Sequence, residues 1–350
     1  MCIRDRLPVF EWQQHVIAPW TTGLKSTLWI VLMGFFVATA CGLLGNYLIL
    51  RRMALVGDAI SHSVLAGIGV AVVLALQLDT ATLFIAALAA GMATTLIIEI
   101  IHRYTRVKQD AAIGIAFTSL FALGVILISF KSGKVHIDTE CVLYGEVALV
   151  PLENFHLSLT PALVGAIDKL PMSEVYLRGN ELVMAPDVVR MGFVALAVAL
   201  LVWVFYKELL VSSFDPALAF SLGINATFVH YALMALLSVV VVSAFESVGA
   251  ILVVAMLILP GATAHLLSAR LPVILALTVL HAALGTLLGF HLATWLNCSI
   301  AGAFVVAGMA LFLLAWLLSP HDGLLAQWHR RRNLKLEPPE EISSTSSAGN

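Results

Sequence analysis

Residues 25–50 read KSTLWIVLMGFFVATACGLLGNYLIL, and Arg51 and Arg52 follow directly. After Lys25 the stretch holds no charged side chain. A run of about 20 apolar residues is long enough to cross the hydrocarbon core of a bilayer as a helix. The stretch therefore predicts a membrane-spanning helix, and the two arginines mark the end that faces the cytoplasm.

The composition agrees with a chain that crosses a membrane many times. Its 350 residues are 61% hydrophobic and 11% charged, whereas a soluble domain is about one-quarter charged. The net charge of −2 argues against the strongly basic surface of a nucleic-acid-binding protein. We predict an all-α, polytopic helical membrane protein with about eight to nine transmembrane helices.

Nine apolar segments approach the spanning length, and nine is the predicted count. They cover 25–50, 58–77, 81–102, 111–130, 190–210, 227–244, 248–268, 272–291 and 299–318. Basic residues follow alternate segments and so set the orientation: Arg51, Arg103, Lys207, Arg270 and Arg330. The N-terminus is then outside the cell and the C-terminus is cytoplasmic.

The sequence divides into three regions. We expect residues 1–22 to form an outer N-terminal segment, and we treat its polar beginning, MCIRDR, as an artefact that takes no part in the fold. Residues 23–327 form the transmembrane domain, which includes an outer loop at 131–189. Residues 328–350 form a cytoplasmic tail, which is partly disordered because LEPPEEISSTSSAGN is poor in apolar residues.

Asp58 and His62 lie at the start of the second apolar segment, in VGDAISHS. Residues four apart share one face of a helix, and a charged group at mid-membrane costs about 2.5–3.5 kcal/mol on insertion scales. A carboxylate and an imidazole on one face can hold a divalent cation, with Ser61 and Ser63 as nearby oxygen donors. A structural pair bonded to neighbouring helices is the alternative, and the spacing leaves both open.

Two more residues are candidate metal ligands on weaker grounds. Glu246 lies between two apolar segments at the predicted outer end, either at the mouth of a pathway or in a solvated turn. His265 follows Pro260 and Gly261, which interrupt an apolar segment. Broken helices in membranes are tolerated where they line a cavity, so His265 lies either at an inner exit or at the membrane interface.

His136, Asp138 and Glu140 alternate in the outer loop. In an extended strand all three side chains point the same way and could collect cations. An ordinary polar loop is the favoured interpretation.

Residues 214–224, FDPALAFSLGI, predict a short capped helix on the cytoplasmic side. Asp215 suits the N-cap, Pro216 the first turn and Gly223 the C-terminal stop. Apolar side chains on such a helix dock into a partner's groove or merely face the membrane interface: Leu218, Phe220 and Leu222.

The sequence lacks the motifs of the common hydrolases. It has no GxxxxGK phosphate loop followed by Ser or Thr, no HExxH zinc-protease pattern and no GxSxG elbow. By the phosphate-loop motif this chain therefore cannot hydrolyse ATP.

Several of these segments resemble the permease subunits of ABC transporters that import manganese, zinc or iron. LRRMALVGDAISHSVLAG (50–67) and FESVGAILVVAMLILPGATAHLL (245–267) are similar to signature regions of that family, and 214–224 is similar to its cytoplasmic coupling helix. HIDTECVLYGEVALVPLE (136–153) resembles a subgroup with an extended outer loop. The similarity runs from Gly23 to Gln327.

The resemblance implies an importer of two permeases and two ATPases in the bacterial cytoplasmic (inner) membrane. This chain would then be a transport subunit rather than an enzyme, with ATP hydrolysis on a separate partner chain. Its partners would be a cytoplasmic ATP-binding subunit, an extracytoplasmic metal-binding protein, membrane lipid, and a second permease that is either a copy of this chain or a sister chain. No cofactor would be bound permanently, because the divalent metal is the cargo, and Asp58 and His62 would line its path. An ion-gradient-driven carrier or channel and an intramembrane metalloenzyme are the alternatives.

Overall fold

The computed structural model of the protein describes residues 10–74, 80–131, 147–152, 155–158, 177–178, 181–319 and 323. A π-helical turn at Gln13–Ile17 comes first. The α-helices that follow are α1 (Ala18–Thr21), α2 (Leu24–Leu50), α3 (Val56–Val73), α4 (Thr80–Tyr104), α5 (Gln109–Lys131), α6 (Pro186–Val204), α7 (Tyr206–Phe214), α8 (Pro216–Ser221), α9 (Ala226–Leu267), α10 (Leu271–Leu296) and α11 (Ile300–Leu318).

Nine segments of the described chain are long and apolar enough to cross a membrane. They are α2 to α6, the two parts of α9 at 226–245 and 247–267, α10 and α11. This confirms the predicted helical membrane fold, and within the described residues the number of candidate spans equals the predicted nine. The multi-pass architecture follows directly from the apolar runs, because each must bury its backbone polar groups in its own hydrogen bonds.

The fifth predicted span, 190–210, has the wrong bounds. The structure has α6 from Pro186 to Val204 and a separate helix, α7, from Tyr206. Phe205 interrupts the helical path, with φ −95° and ψ 24°. The prediction ran too far because the apolar run continues up to Lys207, whereas the break in the backbone precedes that lysine.

The break in α9 lies where the sequence divides this stretch into two predicted spans, 227–244 and 248–268. Pro260 and Gly261 do not interrupt the helix, which continues to Leu267. The non-helical residue is Gly249, at φ 78° and ψ 166°, a conformation that residues with a Cβ rarely adopt. Pro260 is tolerated because neighbouring helices can compensate a lost backbone hydrogen bond within a membrane.

A small antiparallel sheet is the only described β-structure. It consists of β1 (Phe155–Ser158), β2 (Leu177–Arg178) and β3 (Glu181–Met184), in the order β1-β3-β2. A 3-10 helix at Val147–Leu152 packs against α2, α9 and α11. These short elements lie within the predicted outer loop 131–189, so they add to the all-helical membrane domain without changing its class.

Helices α2 and α9 form the centre of the bundle. Helix α2 packs against α9, α10 and α6, whereas α3 packs against α5, α4 and α9. The buried core runs along α2 from Trp29 to Leu48 and continues into α9. Helix α3, which carries Asp58 and His62, therefore lies on the opposite side of the central pair from α6, α10 and α11.

Candidate metal path and coupling surface

The Asp58 and His62 side chains face each other across one turn of α3. The His62 Nε2 atom lies 3.3 Å from Asp58 Oδ1, and the side chains of His62 and Asp58 are 30% and 38% exposed, respectively. Asp58 lies in the first turn of α3, but the N-cap is Leu55 and Asp58 does not cap the helix. The pair is thus accessible from one side, in a segment that spans the membrane.

Two phenylalanines of α5 pack against the His62 imidazole. The ring centroids of Phe117 and Phe121 lie 5.3 Å and 5.8 Å from that of His62. Helix α5 approaches this closely because residue 124 is glycine: a Cβ there would lie 2.7 Å from the Ala66 backbone nitrogen. The aromatic rings limit how the imidazole can turn, so its Nε2 stays aimed at Asp58.

The described residues contain no group of three or more His, Cys, Asp or Glu side chains arranged to hold a metal. The nearby Ser61 and Ser63 are buried, and their hydroxyls donate to the Asp58 and Ile60 carbonyls, each at 2.8 Å. The pair thus offers one carboxylate and one imidazole, and both side chains are partly exposed. A carboxylate together with a neutral imidazole suits zinc or manganese, whereas a site of oxygen donors alone would also suit magnesium or calcium.

Of the other candidate ligands, only His265 has a described side chain, and it does not form such a group with the pair. Glu246 lies next to the break in α9, and its side chain is outside the described part. His265 lies in the last turn of α9, half-buried, and its Nε2 has no hydrogen-bond partner among the described residues. His136, Asp138 and Glu140 lie outside the described residues.

The predicted short helix at 214–224 is present as α8. The Asp215 carboxylate accepts hydrogen bonds from the backbone nitrogens of Ala217 and Leu218 at 2.9 and 3.0 Å, so its predicted role as N-cap is confirmed. Pro216 occupies the first turn. Gly223 ends the helix at φ 79°.

Apolar side chains of α8 and its flanks protrude into the surroundings. Phe220 is 82% exposed and Leu222 is 61% exposed, while Ala219 is fully buried against the protein. Phe214 and Leu218 are exposed as well. Among the described elements, α8 contacts mainly α7 and α9. Its exposed apolar side chains therefore form a ridge of the kind that fits a groove on a partner protein.

A polar cluster at the same end of the bundle was not predicted from the sequence. Arg51 binds Ser212, Ser213 and His230 through its guanidinium, and His230 Nε2 lies 3.4 Å from Glu99 Oε2. The sequence did contain an indication of this cluster. Glu99 and His230 are ionisable residues within apolar spans, where such residues are rare and usually paired. Burial lowers the pKa of Arg51, but a guanidinium remains protonated at neutral pH.

Comparison with known proteins identifies the family of this chain. A sequence model of the ABC 3 transport family matches residues 24–168 and 155–319. The chain belongs to the ABC 3 transport family. Among its ABC 3 relatives, the manganese transport system membrane protein MntD of Bacillus subtilis is 40% identical over 309 residues, which cover 88% of this chain and 97% of MntD.

A second relative and a solved structure agree with this assignment. The zinc transport system membrane protein TroD of Treponema pallidum is 39% identical over 314 residues, covering 89% of this chain and 79% of TroD. The solved structure of PsaBC from Streptococcus pneumoniae in complex with a Fab superposes with a TM-score of 0.68 and 31% identity. It covers 91% of this ABC 3 chain and 100% of the matched PsaBC chain.

Proposed function

We propose that this chain is the membrane permease subunit of an ATP-driven importer that carries manganese, zinc or iron across the bacterial cytoplasmic membrane. The observation that carries the proposal is the Asp58–His62 pair on a spanning helix of an ABC 3 chain. The His62 Nε2 and Asp58 Oδ1 atoms of this pair are 3.3 Å apart. The metal-transport names of MntD and TroD support the class of cargo.

Asp58 and His62 bind the metal in transit. A zinc ion takes four ligands and a manganese ion about six, so the pair supplies only part of the coordination shell. Water and donors of a second permease, either a copy or a sister chain, complete it on the open side of α3. A shared, partly hydrated site suits transport, because binding must be favourable enough for entry and weak enough for release.

Glu246 and His265 have subordinate roles in this proposal. Glu246 lies beside the break in α9 at the predicted outer end, where it meets the ion as an extracytoplasmic metal-binding protein releases it. His265, in the last turn of α9, lies near the predicted cytoplasmic end of the path. The two residues attract the ion at entry and exit, while Asp58 and His62 form the site between them.

The coupling segment 214–224 docks on a cytoplasmic ATP-binding subunit. Asp215 and Pro216 begin α8 and Gly223 ends it, so the helix is a rigid unit. Its apolar ridge enters the partner's groove: Leu218, Phe220 and Leu222. Since the sequence holds no phosphate loop, all ATP hydrolysis takes place on that separate subunit.

The regions of the chain follow from this arrangement. Residues 1–22 lie outside, 23–327 form the permease domain, and 328–350 form a cytoplasmic tail. The basic residues that end alternate spans, Arg51 and Arg103 among them, hold this orientation.

Uptake into proteoliposomes tests the proposal. The chain is reconstituted with its cognate ATP-binding subunit and metal-binding protein, and zinc, manganese and iron accumulation is measured with and without ATP. ATP-dependent accumulation of one of these metals is expected. Accumulation that is indifferent to ATP would contradict the proposal and would favour an ion-gradient-driven carrier or a channel.

A further inference from the structure

The Arg51 guanidinium is the centre of a hydrogen-bonded cluster at the predicted cytoplasmic end. Its Nη2 donates to Ser212 Oγ at 2.9 Å and its Nε donates to Ser213 Oγ at 3.1 Å. Its Nη1 lies 3.2 Å from His230 Nδ1. All three nitrogens of the guanidinium therefore contact other helices. Arg51 links α7 to α9 and is not simply a solvated charge at the surface.

The partners of Arg51 flank the coupling segment on both sides. Ser212 and Ser213 belong to α7, just before the Asp215 cap, and His230 belongs to the first turns of α9, just after the segment. Helix α8 itself contacts chiefly α7 and α9. Any force that an ATPase applies to α8 must therefore enter the permease through the two elements that Arg51 holds together.

His230 extends the cluster to α4. Because Arg51 Nη1 can only donate, His230 Nδ1 must accept, and its proton then resides on Nε2. The Nε2 atom faces Glu99 Oε2 at 3.4 Å, so a neutral imidazole bridges the arginine and the carboxylate. The cluster opens onto a cavity of about 500 Å³ that Arg51, Glu99, Ser213 and His230 help to line.

Arg51 is also joined tightly to the helix that carries the metal pair. It ends α2, and the turn to α3 is closed by bonds from Met53 N to the Leu48 carbonyl at 2.8 Å and from Val56 N to the Met53 carbonyl at 3.1 Å. Met53 is buried. This short, fixed turn leads directly into the first turn of α3, where Asp58 lies.

We propose that Arg51 is the positioning residue that transmits movement of the coupling segment to the metal site on α3. The inference rests on the proposed function. Its physical basis is one guanidinium that links both flanks of α8 to the α2–α3 turn, so that displacement of α8 moves the start of α3. Asp58 and His62 are thereby turned or separated when the ATPase subunits close.

Arg52 provides a matched control. It is the neighbouring residue, carries the same charge and is exposed, and its side chain has no hydrogen bond or ion pair within the described ranges. A general effect of replacing an arginine by lysine at this membrane face would appear at both positions. An effect of the hydrogen-bonded link between the helices would appear at Arg51 alone.

The test compares Arg51→Lys, a Ser212→Ala/Ser213→Ala double variant and Arg52→Lys in the reconstituted complex. Lysine keeps the positive charge but lacks the planar guanidinium that donates to three partners in fixed directions. Assembly, ATP hydrolysis and metal uptake are measured on the same preparation. For Arg51→Lys and the double serine variant we expect assembly and hydrolysis to persist while ions taken up per ATP fall about tenfold, within the usual range of coupling between sites.

Arg52→Lys should keep the wild-type ratio. An unchanged ratio in Arg51→Lys and in the double serine variant would overturn the inference, and so would loss of assembly in both, since Arg51 would then serve folding alone. These failures remain distinct from failure of the proposed function, in which the wild-type complex itself shows no ATP-dependent uptake.

Discussion

The ring of Phe121 stands at 89° to the imidazole of His62, with 5.8 Å between the ring centroids. Phe117 contacts the same imidazole at a tilt of 45°. Together the two rings form an apolar wall behind a residue that must present one nitrogen to a passing ion. The wall holds the imidazole in place and leaves the Asp58 side of the pair open.

Removal of this wall should weaken binding of the metal in transit. An aromatic pair contributes about 0.5–1.5 kcal/mol, so Phe121→Ala should raise the metal concentration for half-maximal uptake about two- to tenfold. Phe130→Ala is the control, because Phe130 lies on the same helix and is 79% exposed. Equal half-maximal concentrations in the two variants would show that the wall has no part in binding.

The chemistry of the pair predicts how its metal preference can be changed. Imidazole suits zinc well, whereas carboxylates suit manganese, so His62→Asp should reduce zinc uptake more than manganese uptake. Competition between the two metals in proteoliposomes measures the change, with His102→Asp, at an exposed histidine, as the control. A proportional loss of both metals would argue that His62 does not contact the ion.

The close approach of α3 and α5 should be sensitive to one glycine. Gly124→Val forces side-chain atoms against the backbone of Leu65 and Ala66, where a Cβ alone already meets the Ala66 nitrogen at 2.7 Å. Overpacking of this kind costs about 1–3 kcal/mol. We expect a lower midpoint of thermal unfolding in detergent.

Gly114→Ala is the matched change on α5, since nothing lies within 4 Å of a Cβ at that position. Alanine favours helix over glycine by about 1 kcal/mol, so its unfolding midpoint should be unchanged or higher. If both variants unfold at the same temperature, the tight α3–α5 contact is not what stabilises this part of the bundle.

The exposed ridge on α8 should be needed for binding of the ATPase. Phe220 is 82% exposed, so Phe220→Asp should leave the permease folded while weakening its complex with the ATP-binding subunit at least about tenfold, as loss of a buried aromatic anchor does. Phe220→Leu, which stays apolar, should retain most of the affinity. Co-purification and ATPase assays measure both, and an intact complex in Phe220→Asp would remove α8 from the interface.

Much of the fold could be predicted from the sequence because each span is a long apolar run bounded by polar residues. The α8 cap was equally local: Asp215, Pro216 and Gly223 have defined positional preferences, and the structure has them there. The division of α9 was predicted because polar residues around Glu246 separate two apolar runs. The sequence did not single out Gly249 as the non-helical residue, because a glycine in an apolar segment is usually a packing residue.

The site was predicted only in part, because some of its contacts join residues that lie far apart in the sequence. Asp58 and His62 are one turn apart on one helix, so their contact follows from the 3.6-residue period. The aromatic wall from α5 and the Arg51 cluster join residues far apart in the chain. Arg51 and His230, for example, meet at 3.2 Å although they are 179 positions apart in the sequence.

Metal uptake by Asp58→Ala and His62→Ala tests the central claim most directly. Both are compared with wild type and with Asp110→Ala, which removes an exposed carboxylate from the start of α5, in proteoliposomes that hold the ATP-binding subunit and the metal-binding protein. We predict that ATP-dependent uptake falls to background in the two site variants, persists in Asp110→Ala, and that all three still assemble and hydrolyse ATP. Uptake at the wild-type rate in Asp58→Ala and His62→Ala would contradict the account.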